Sequence, residues 1–530
     1  MKVMLVYANE RMDSLIGIGL PLLSAHLKKA GHDVKLYDTT LFDTGKETGD
    51  SFRESLGQVT PVDIEKYGVV RKKVSMDELK ADFRKAVLDY NPGLIGFSSL
   101  EMNYDQALEL AKGIQDIPIP KIFGGVYPTF APKVVLKEPS IDMIGEGECE
   151  EMLPELATAL EKGEDITKIL NLTVKKDGKI YRSGEVINLE DLPAGESIYG
   201  EKTGLRRPLT DLGKTLLAPD YSIFDDRRFW KKMGGKAVRT VAFELSRGCP
   251  FQCTFCCIPI FQYQHEKSLE SYSKSSGLDL KELKKEHKFR RHKPIDKFIS
   301  EVEFMVKKYK LDYIYFTDEC FLSMDFDRFN DFIKQYREKI NLPFFIETRV
   351  ETIKLGYAEA LESAGCEGVA MGIESGNSEL RKNLLKRFMT NEQIIAAFRE
   401  FEKTKIRVSA NNIIGFPGET RENIMETIEL NRQIHPGNTI VNAFRPYSGT
   451  ELRRLCIEKG LIPAGERAED NRVYGAFDNG ALTAKELEGI RRVFNLYVKF
   501  PKDRWDDVRK AETDDDVLES LKQEYREGKI

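Results

Sequence analysis

"RTVAFELSRGCPFQCTFCCIP", residues 239–259, sets a strand-like apolar run directly before a loop that carries four of the chain's eight cysteines. Residues 239–246 read as a buried strand, and Cys249, Cys253 and Cys256 follow it with C-x3-C-x2-C spacing. A strand that runs into a reactive loop is the repeating unit of β/α architectures, whose sites gather at the C-terminal ends of the strands. Whether the fold is of that kind depends on whether the unit repeats.

It repeats downstream. A helix near 295–309, strand 312–317, helix 326–339, strand 344–349, helix 356–364, strand 367–373, helix 391–404, strand 406–414, helix 420–433 and strand 439–444 follow in order. These are about six β/α units, so residues 236–450 are predicted to form an open or incomplete β/α barrel. Residues 451–530 read as helical and charged. Upstream, "KVMLVYA" (2–8) is a buried-strand run, and "GLPLLSAHLKKAGHDVKLYD" (19–38) gives an amphipathic helix, a Gly31 stop and a second strand. The alternation continues to about 165, which predicts a Rossmann-like parallel α/β sheet with helices on both faces. Residues 41–75 carry no clear period and read as a long loop or insertion. "NLTVKKDGKIYRSGEV" (171–186) reads as a hairpin about Asp177-Gly178, and residues 185–235 as a connector. The divisions expected are therefore 1–165, 166–235, 236–450 and 451–530.

Composition excludes several classes. The 530 residues are 41% hydrophobic and 32% charged, a globular balance that needs at least two cores. No apolar run approaches the roughly 18 residues of a membrane span. The N-terminus lacks a signal-peptide pattern, so a cytoplasmic location is expected. A net charge of −5 gives no general case for nucleic acid, and the basic run "KELKKEHKFRRHK" (281–293) reads first as a solvated helix face.

In a reducing compartment clustered cysteines favour metal or redox chemistry over disulfides. Thiolates are the usual ligands of iron–sulfur clusters, and three of them on a four-iron cubane leave one iron free to bind a small molecule. A zinc site completed by Cys257 or His265, or plain structural thiols, are the alternatives.

"RGCPFQCTFC" (247–256) resembles the cluster motif of the radical S-adenosylmethionine (SAM) enzymes, and the chain from residue 1 to about 450 resembles their subset with an N-terminal cobalamin-binding domain. The resemblance implies a [4Fe–4S] cluster on Cys249, Cys253 and Cys256, with Phe255 as the motif's aromatic residue against SAM. "YFTDECF" (315–321) then supplies Asp318 and Glu319 for the SAM amino group. "IETRV" (346–350) offers Glu347 and Arg349, of which the guanidinium suits its carboxylate. "MGIESG" (371–376) supplies Glu374 and Ser375 at the ribose, and "NIIGFPGET" (412–420) places Ile414 and Gly415 along the adenine.

The N-terminal sheet resembles the same subset in four stretches. They imply cobalamin contacts from Ile18, Gly19 and Leu20, from Ser98 and Ser99, from Gly124, Gly125, Val126 and Tyr127, and from Gly145, Glu146, Gly147 and Glu148. The competing reading is a nucleotide-type sheet with ordinary glycine turns. Tyr127 stands where many relatives carry histidine, and either faces the corrin or packs. The D-x-H-x-x-G motif of B12 mutases is absent, so no histidine ligand to cobalt is expected. Methylthiotransferases, the other two-part radical SAM proteins, carry three further cysteines in their N-terminal domain, and this chain has only Cys149 before Cys249. Cys320 and Tyr447 are weak candidates for a catalytic role, Cys320 reading more readily as a packed small residue.

The resemblance implies a C-methyltransferase: a 5′-deoxyadenosyl radical removes hydrogen from an unactivated carbon, which takes a methyl group from methylcobalamin, and a second SAM remethylates the cobalt. A cobalamin-dependent cyclase or oxidoreductase without methyl transfer is the alternative, and a non-enzymatic cobalamin or iron–sulfur sensor a third. An electron donor such as flavodoxin or ferredoxin is expected as partner, with no membrane span and no nucleic acid. The substrate, a small molecule or a protein side chain, is not legible. The 258–293 insertion and the C-terminal region are expected to shape its choice, with Arg290 and Arg291 as a hypothesis for an acidic group.

Overall fold

The computed structural model describes residues 1–9, 15–196, 206–465, 467–468 and 477–528. Strands β1 (Lys2–Tyr7), β2 (Asp33–Asp38), β3 (Leu94–Ser98), β4 (Lys121–Gly124) and β5 (Met143–Gly145) are mutually parallel. The reason is visible in β1, where Val3, Met4, Leu5 and Val6 are all buried, as a strand covered on both faces requires. Val3 and Leu5 enter one core with Leu20 and Leu27 of α1 (Gly19–Lys29) and Leu156 of α4 (Met152–Lys162). Met4 and Val6 enter another with Leu79, Phe83 and Val87 of α2 (Met76–Tyr90) and Leu110 of α3 (Tyr104–Lys112).

The hairpin expected as a separate piece extends this same sheet. Strands β6 (Leu172–Lys176), β7 (Lys179–Arg182) and β8 (Glu185–Ile187) continue it antiparallel, giving the order β8-β7-β6-β5-β4-β3-β1-β2. Its turn is the expected one: Asp177 and Gly178 stand at φ +51° and +72°, both in the left-handed region. Strand order reverses between β1 and β3, and the crevice beyond their carboxyl ends is where open α/β sheets bind ligands.

The second sheet runs β9 (Ala242–Phe243), β12 (Ile314–Phe316), β13 (Phe344–Arg349), β14 (Cys366–Glu374), β15 (Arg407–Ile414) and β16 (Asn438–Ala443), all parallel and in sequence order. The edge strands β9 and β16 do not pair, so the barrel is incomplete. The strand expected over 239–246 is broken. Its end, β10 (Ser246–Arg247), leaves the sheet and pairs antiparallel with β11 (Arg291–His292). The 258–293 insertion is largely helical, led by α5 (Ile258–Ser276).

Residues 41–75 are more than a loop. They contain a helix, Gly49–Ser55, and Gln58 donates from Nε2 to the Val441 carbonyl of edge strand β16 at 3.2 Å. Glu54 pairs with Lys232 at 2.6 Å. The segment thus reaches the unpaired edge of the barrel. Beyond it, α11 (Ala484–Lys499) packs on β16 and on α10 (Arg421–Ile434), and α12 (Trp505–Lys510) and α13 (Asp515–Arg526) complete the C-terminal layer.

Candidate active site

The cysteine loop begins at Gly248, whose φ of +90° and surroundings admit only glycine: a Cβ would lie 2.7 Å from the Phe289 carbonyl oxygen. Cys256 N–H donates to the Cys253 carbonyl at 3.1 Å, closing the turn. Thr254 ties the loop down, N–H to the Leu385 carbonyl at 3.3 Å and Oγ1 to the Leu384 carbonyl at 2.6 Å. Cys253 is buried, and Cys249 and Cys256 are half-buried. Two guanidiniums face Cys253 Sγ, Arg349 Nη1 at 3.0 Å and Arg387 Nη1 at 3.7 Å. Burial pushes the Cys249 thiol up to about 12 and raises Cys253 as well; Cys256 is raised first by its bond to Cys257 and then by burial. Three protonated thiols under cationic cover suit a metal that displaces their protons. Among the described residues no three His, Cys, Asp or Glu side chains converge on one point that a single ion would occupy.

The carboxyl-rich strand ends divide into two kinds. Asp318 is buried and filled from within: it accepts from Leu245 N at 3.1 Å, Ser246 N at 2.6 Å and Ser246 Oγ at 2.5 Å. Burial lifts its carboxyl to about 7. These bonds break the first barrel strand after Phe243 and set the cysteine loop's entry, a role the sequence reading did not give it. Glu319 and Glu347 are exposed, though the protein around them raises both carboxyls. Glu319 accepts from Gly248 N at 3.2 Å, and Glu347 from Tyr315 Oη at 3.0 Å.

Arg349 pairs with Glu351 and stacks over Phe251 at 3.7 Å, so it covers the cysteine loop. Glu374 lies 3.5 Å from Arg387, which also donates to the Gly372 carbonyl at 2.5 Å. Ser375 is fully buried and accepts from Asn377 N at 3.2 Å. Phe255 packs 6.2 Å from Phe416, joining the cysteine loop to the GFPG turn. There Gly415 holds φ +87° and donates to Glu419 at 2.6 Å, while the Ile414 side chain is buried in the core shared with α11. Cys320 is packed 3.6 Å from Thr348 Oγ1. Tyr447 is half-buried in a turn whose neighbour Ser448 donates, N and Oγ, to Glu101 of the first sheet at 2.9 and 3.0 Å.

A cavity of about 210 Å³ opens at the switch point of the first sheet. Eight of the expected cobalamin contacts line it: Gly19, Leu20, Ser98, Gly124, Gly125, Gly145, Gly147 and Glu148. Leu5, Leu23, Phe97, Met152 and Leu153, which the sequence reading missed, give it its apolar wall. Glycine keeps it open: a Cβ on Gly145 would lie 2.7 Å from Met152 Cε and 3.0 Å from Cys149 Sγ. Its glycines and apolar wall would suit part of a bulky ligand such as cobalamin. The other expected contacts lie elsewhere. Ile18 packs on Leu22, Leu212 and Leu216 of α1 and the connector. Ser99 is buried under Gly125, and Val126 is exposed. Tyr127 is buried edge-on against Tyr104 at 4.9 Å. Glu146 is buried in ion pairs with Arg182 and Arg206 at 2.5 and 3.0 Å, held down to about 2 by the two guanidiniums against its burial. A larger open cavity, about 760 Å³, between Asp43–Ser51 and Arg71–Glu78 lies apart from the cysteines and is lined by charges of both signs.

Comparison with known proteins matches both halves. Residues 64–157 match the B12 binding domain model and residues 243–430 the radical SAM superfamily model. The chain joins a B12-binding domain to a radical SAM domain. An uncharacterised methyltransferase of Pyrococcus horikoshii is 25% identical over 72% of this chain and 73% of its own. The cytidylyl-2-hydroxyethylphosphonate methyltransferase of Streptomyces wedmorensis is 22% identical over 92% of this chain and 85% of its own. An anaerobic magnesium-protoporphyrin IX monomethyl ester cyclase of Rubrivivax gelatinosus is 24% identical over 79% and 69%. Among solved structures, the radical SAM methyltransferase TsrM from Kitasatospora setae superposes with a TM-score of 0.60 at 16% identity, over 86% of this chain and 76% of its own. The B12-binding domain therefore holds the glycine-lined cavity, and the radical SAM domain the three cysteines. Among the described residues no helix is long and apolar enough to cross a membrane.

Proposed function

We propose that this protein is a cobalamin-dependent radical SAM C-methyltransferase. When bound, the cofactors supply one-electron cleavage of SAM and a transferable methyl group. The protein's part is placement. Cys249, Cys253 and Cys256 would hold the cluster, and the Arg349 and Arg387 guanidiniums that face Cys253 would offset the charge of its thiolate. Glu319 and Glu347, both exposed, keep lone pairs that can accept further hydrogen bonds from an ammonium or hydroxyl group.

The observation that carries the reading is that Glu148, in the wall of the glycine-lined cavity, lies 3.1 Å from Arg247, two residues before Cys249. The two cofactor sites share a wall. Methyl transfer is favoured over cyclisation by the coverage of the phosphonate methyltransferase, 92% of this chain. Anaerobically reconstituted protein, supplied with SAM and reductant, is expected to form 5′-deoxyadenosine and to convert its reduced cobalamin to methylcobalamin. Deoxyadenosine without cobalt methylation favours the cyclase-like reading, and neither product favours a sensor. The basic stretch is less available to substrate than the sequence suggested: Arg291 is spent on Glu148, whereas Arg290 has no ion pair among the described residues. An electron donor such as flavodoxin or ferredoxin, and a cytoplasmic location, belong to the same proposal.

A further inference from the structure

The loop after β5 reads Gly-Glu-Gly-Glu-Cys-Glu (145–150), and each of its three glutamates is engaged by arginine. Glu146 is the fixed end. It binds Arg182 of β7 through Nε and Nη2 at 3.0 and 2.5 Å, and Arg206, whose Nη1 reaches Gln264 of α5 at 2.6 Å. Glu148 takes the Arg291 fork at 2.6 and 2.9 Å, accepts from Thr210 N at 3.0 Å, and lies 3.1 Å from Arg247. Arg247 also meets Glu150 at 2.7 Å and Glu244 at 2.9 Å.

Two features make this array more than interface glue. Glu148 and Glu150 line the cobalamin cavity. Arg247 and Arg291 stand opposite each other on the β10–β11 ribbon, and the next residue, Gly248, is in close contact with Phe289 and Arg290 of the returning strand. The cavity wall thus cannot shift without the ribbon that carries Cys249. Nor can one member yield alone, since removing one partner of a buried pair leaves an uncompensated charge.

We propose that Glu148, Glu150, Arg247 and Arg291 are positioning residues that couple the two cofactor sites, so that cobalamin binding and the ordered, cluster-bearing cysteine loop favour each other. The inference rests on the functional reading above, and it is reciprocal: whatever the cluster contributes to cobalamin affinity, cobalamin contributes to retention of the cluster.

The test is an anaerobic absorbance titration with hydroxocobalamin of the full chain, with its cluster and after chelation has removed it. The cluster-free chain is expected to bind about tenfold more weakly. Glu148→Gln and Arg291→Lys are expected to bind about equally with and without cluster. Arg291→Lys keeps the charge and loses only the fork, so it serves if Glu148→Gln does not fold. Equal affinities of the two wild-type forms overturn the coupling and leave the cobalamin site standing. A wild-type ratio undiminished in both variants overturns its assignment to these residues. No binding by either wild-type form overturns the functional reading and the coupling together.

Discussion

Glu374 ends β14 at a φ of +66°, a conformation that costs a non-glycine residue energy and that persists where the surroundings over-determine it. Here Arg387 supplies the restraint, and it illustrates what sequence reading does and does not see. The cysteines are legible because three ligands fall within eight residues, 249–256. Arg387, which touches Cys253, Glu374 and the Gly372 carbonyl, carries no motif, because its partners come together only through the barrel. Asp318 shows the converse: the right residue type at a strand end, filled by the chain's own donors. Two predictions belong at this scale. Gly248→Ala, with its Cβ 2.7 Å from the Phe289 oxygen and φ at +90°, is expected to cost about 1–3 kcal/mol and to lower the iron bound per chain after reconstitution. Unchanged iron content and melting temperature would contradict the close contact. Glu419 is wholly buried, accepts from Gly415 and Phe416 N–H groups, and is lifted by burial to about 8. A carboxyl raised in the folded state contributes stability that is full below its unfolded pKa, near 4.5, and is lost as pH rises through 8. The melting temperature of the wild type minus that of Glu419→Gln should therefore fall between pH 5 and 9. A constant difference would place Glu419 in water.

At the scale of elements, the alternation of strands and helices was legible almost throughout, because buried parallel strands and amphipathic helices differ in length and period. Three elements were not. The strand over 239–246 was expected whole, and it is broken by hydrogen bonds to Asp318, seventy-two residues on from Ser246. Residues 41–75 showed no period, since their partner is the edge of β16 near Val441. The turn at Tyr447–Ser448 offered only a catalytic candidate, because the partner of Ser448 is Glu101, 347 residues away. The C-terminal helices were expected, but their anchor was not. Arg432 of α10 donates to the carbonyls of Tyr497, Val498 and Phe500 at 3.0, 3.0 and 2.6 Å, satisfying the end of α11. Arg432→Met is expected to cost about 1–3 kcal/mol, from lost charge-assisted hydrogen bonds to carbonyls. Amide hydrogen exchange should then quicken in 484–526 ahead of the barrel strands. Uniform exchange across the chain would show that the layer has no separate stability.

At the scale of the whole molecule, the two sheets were each foreseeable, and the way they join was not. Arginines 182, 206, 247 and 291 come from four separate stretches and converge on Glu146, Glu148 and Glu150, an arrangement that no local pattern announces. Glu101, just after β3, adds a second tie, and burial raises its carboxyl despite donors from Ser448 and Ala468. Together these contacts tie the B12-binding domain to the radical SAM domain.

The proposal has one chain hold a corrin and a cubane cluster side by side. The most direct measurement is anaerobic: reconstitute the protein with iron, sulfide and hydroxocobalamin, remove what is unbound, and determine iron and corrin on the same sample. The account predicts about four irons and one corrin per chain, with iron lost and corrin weakened when Cys249, Cys253 and Cys256 are replaced by alanine. Four irons with no retained corrin would contradict it.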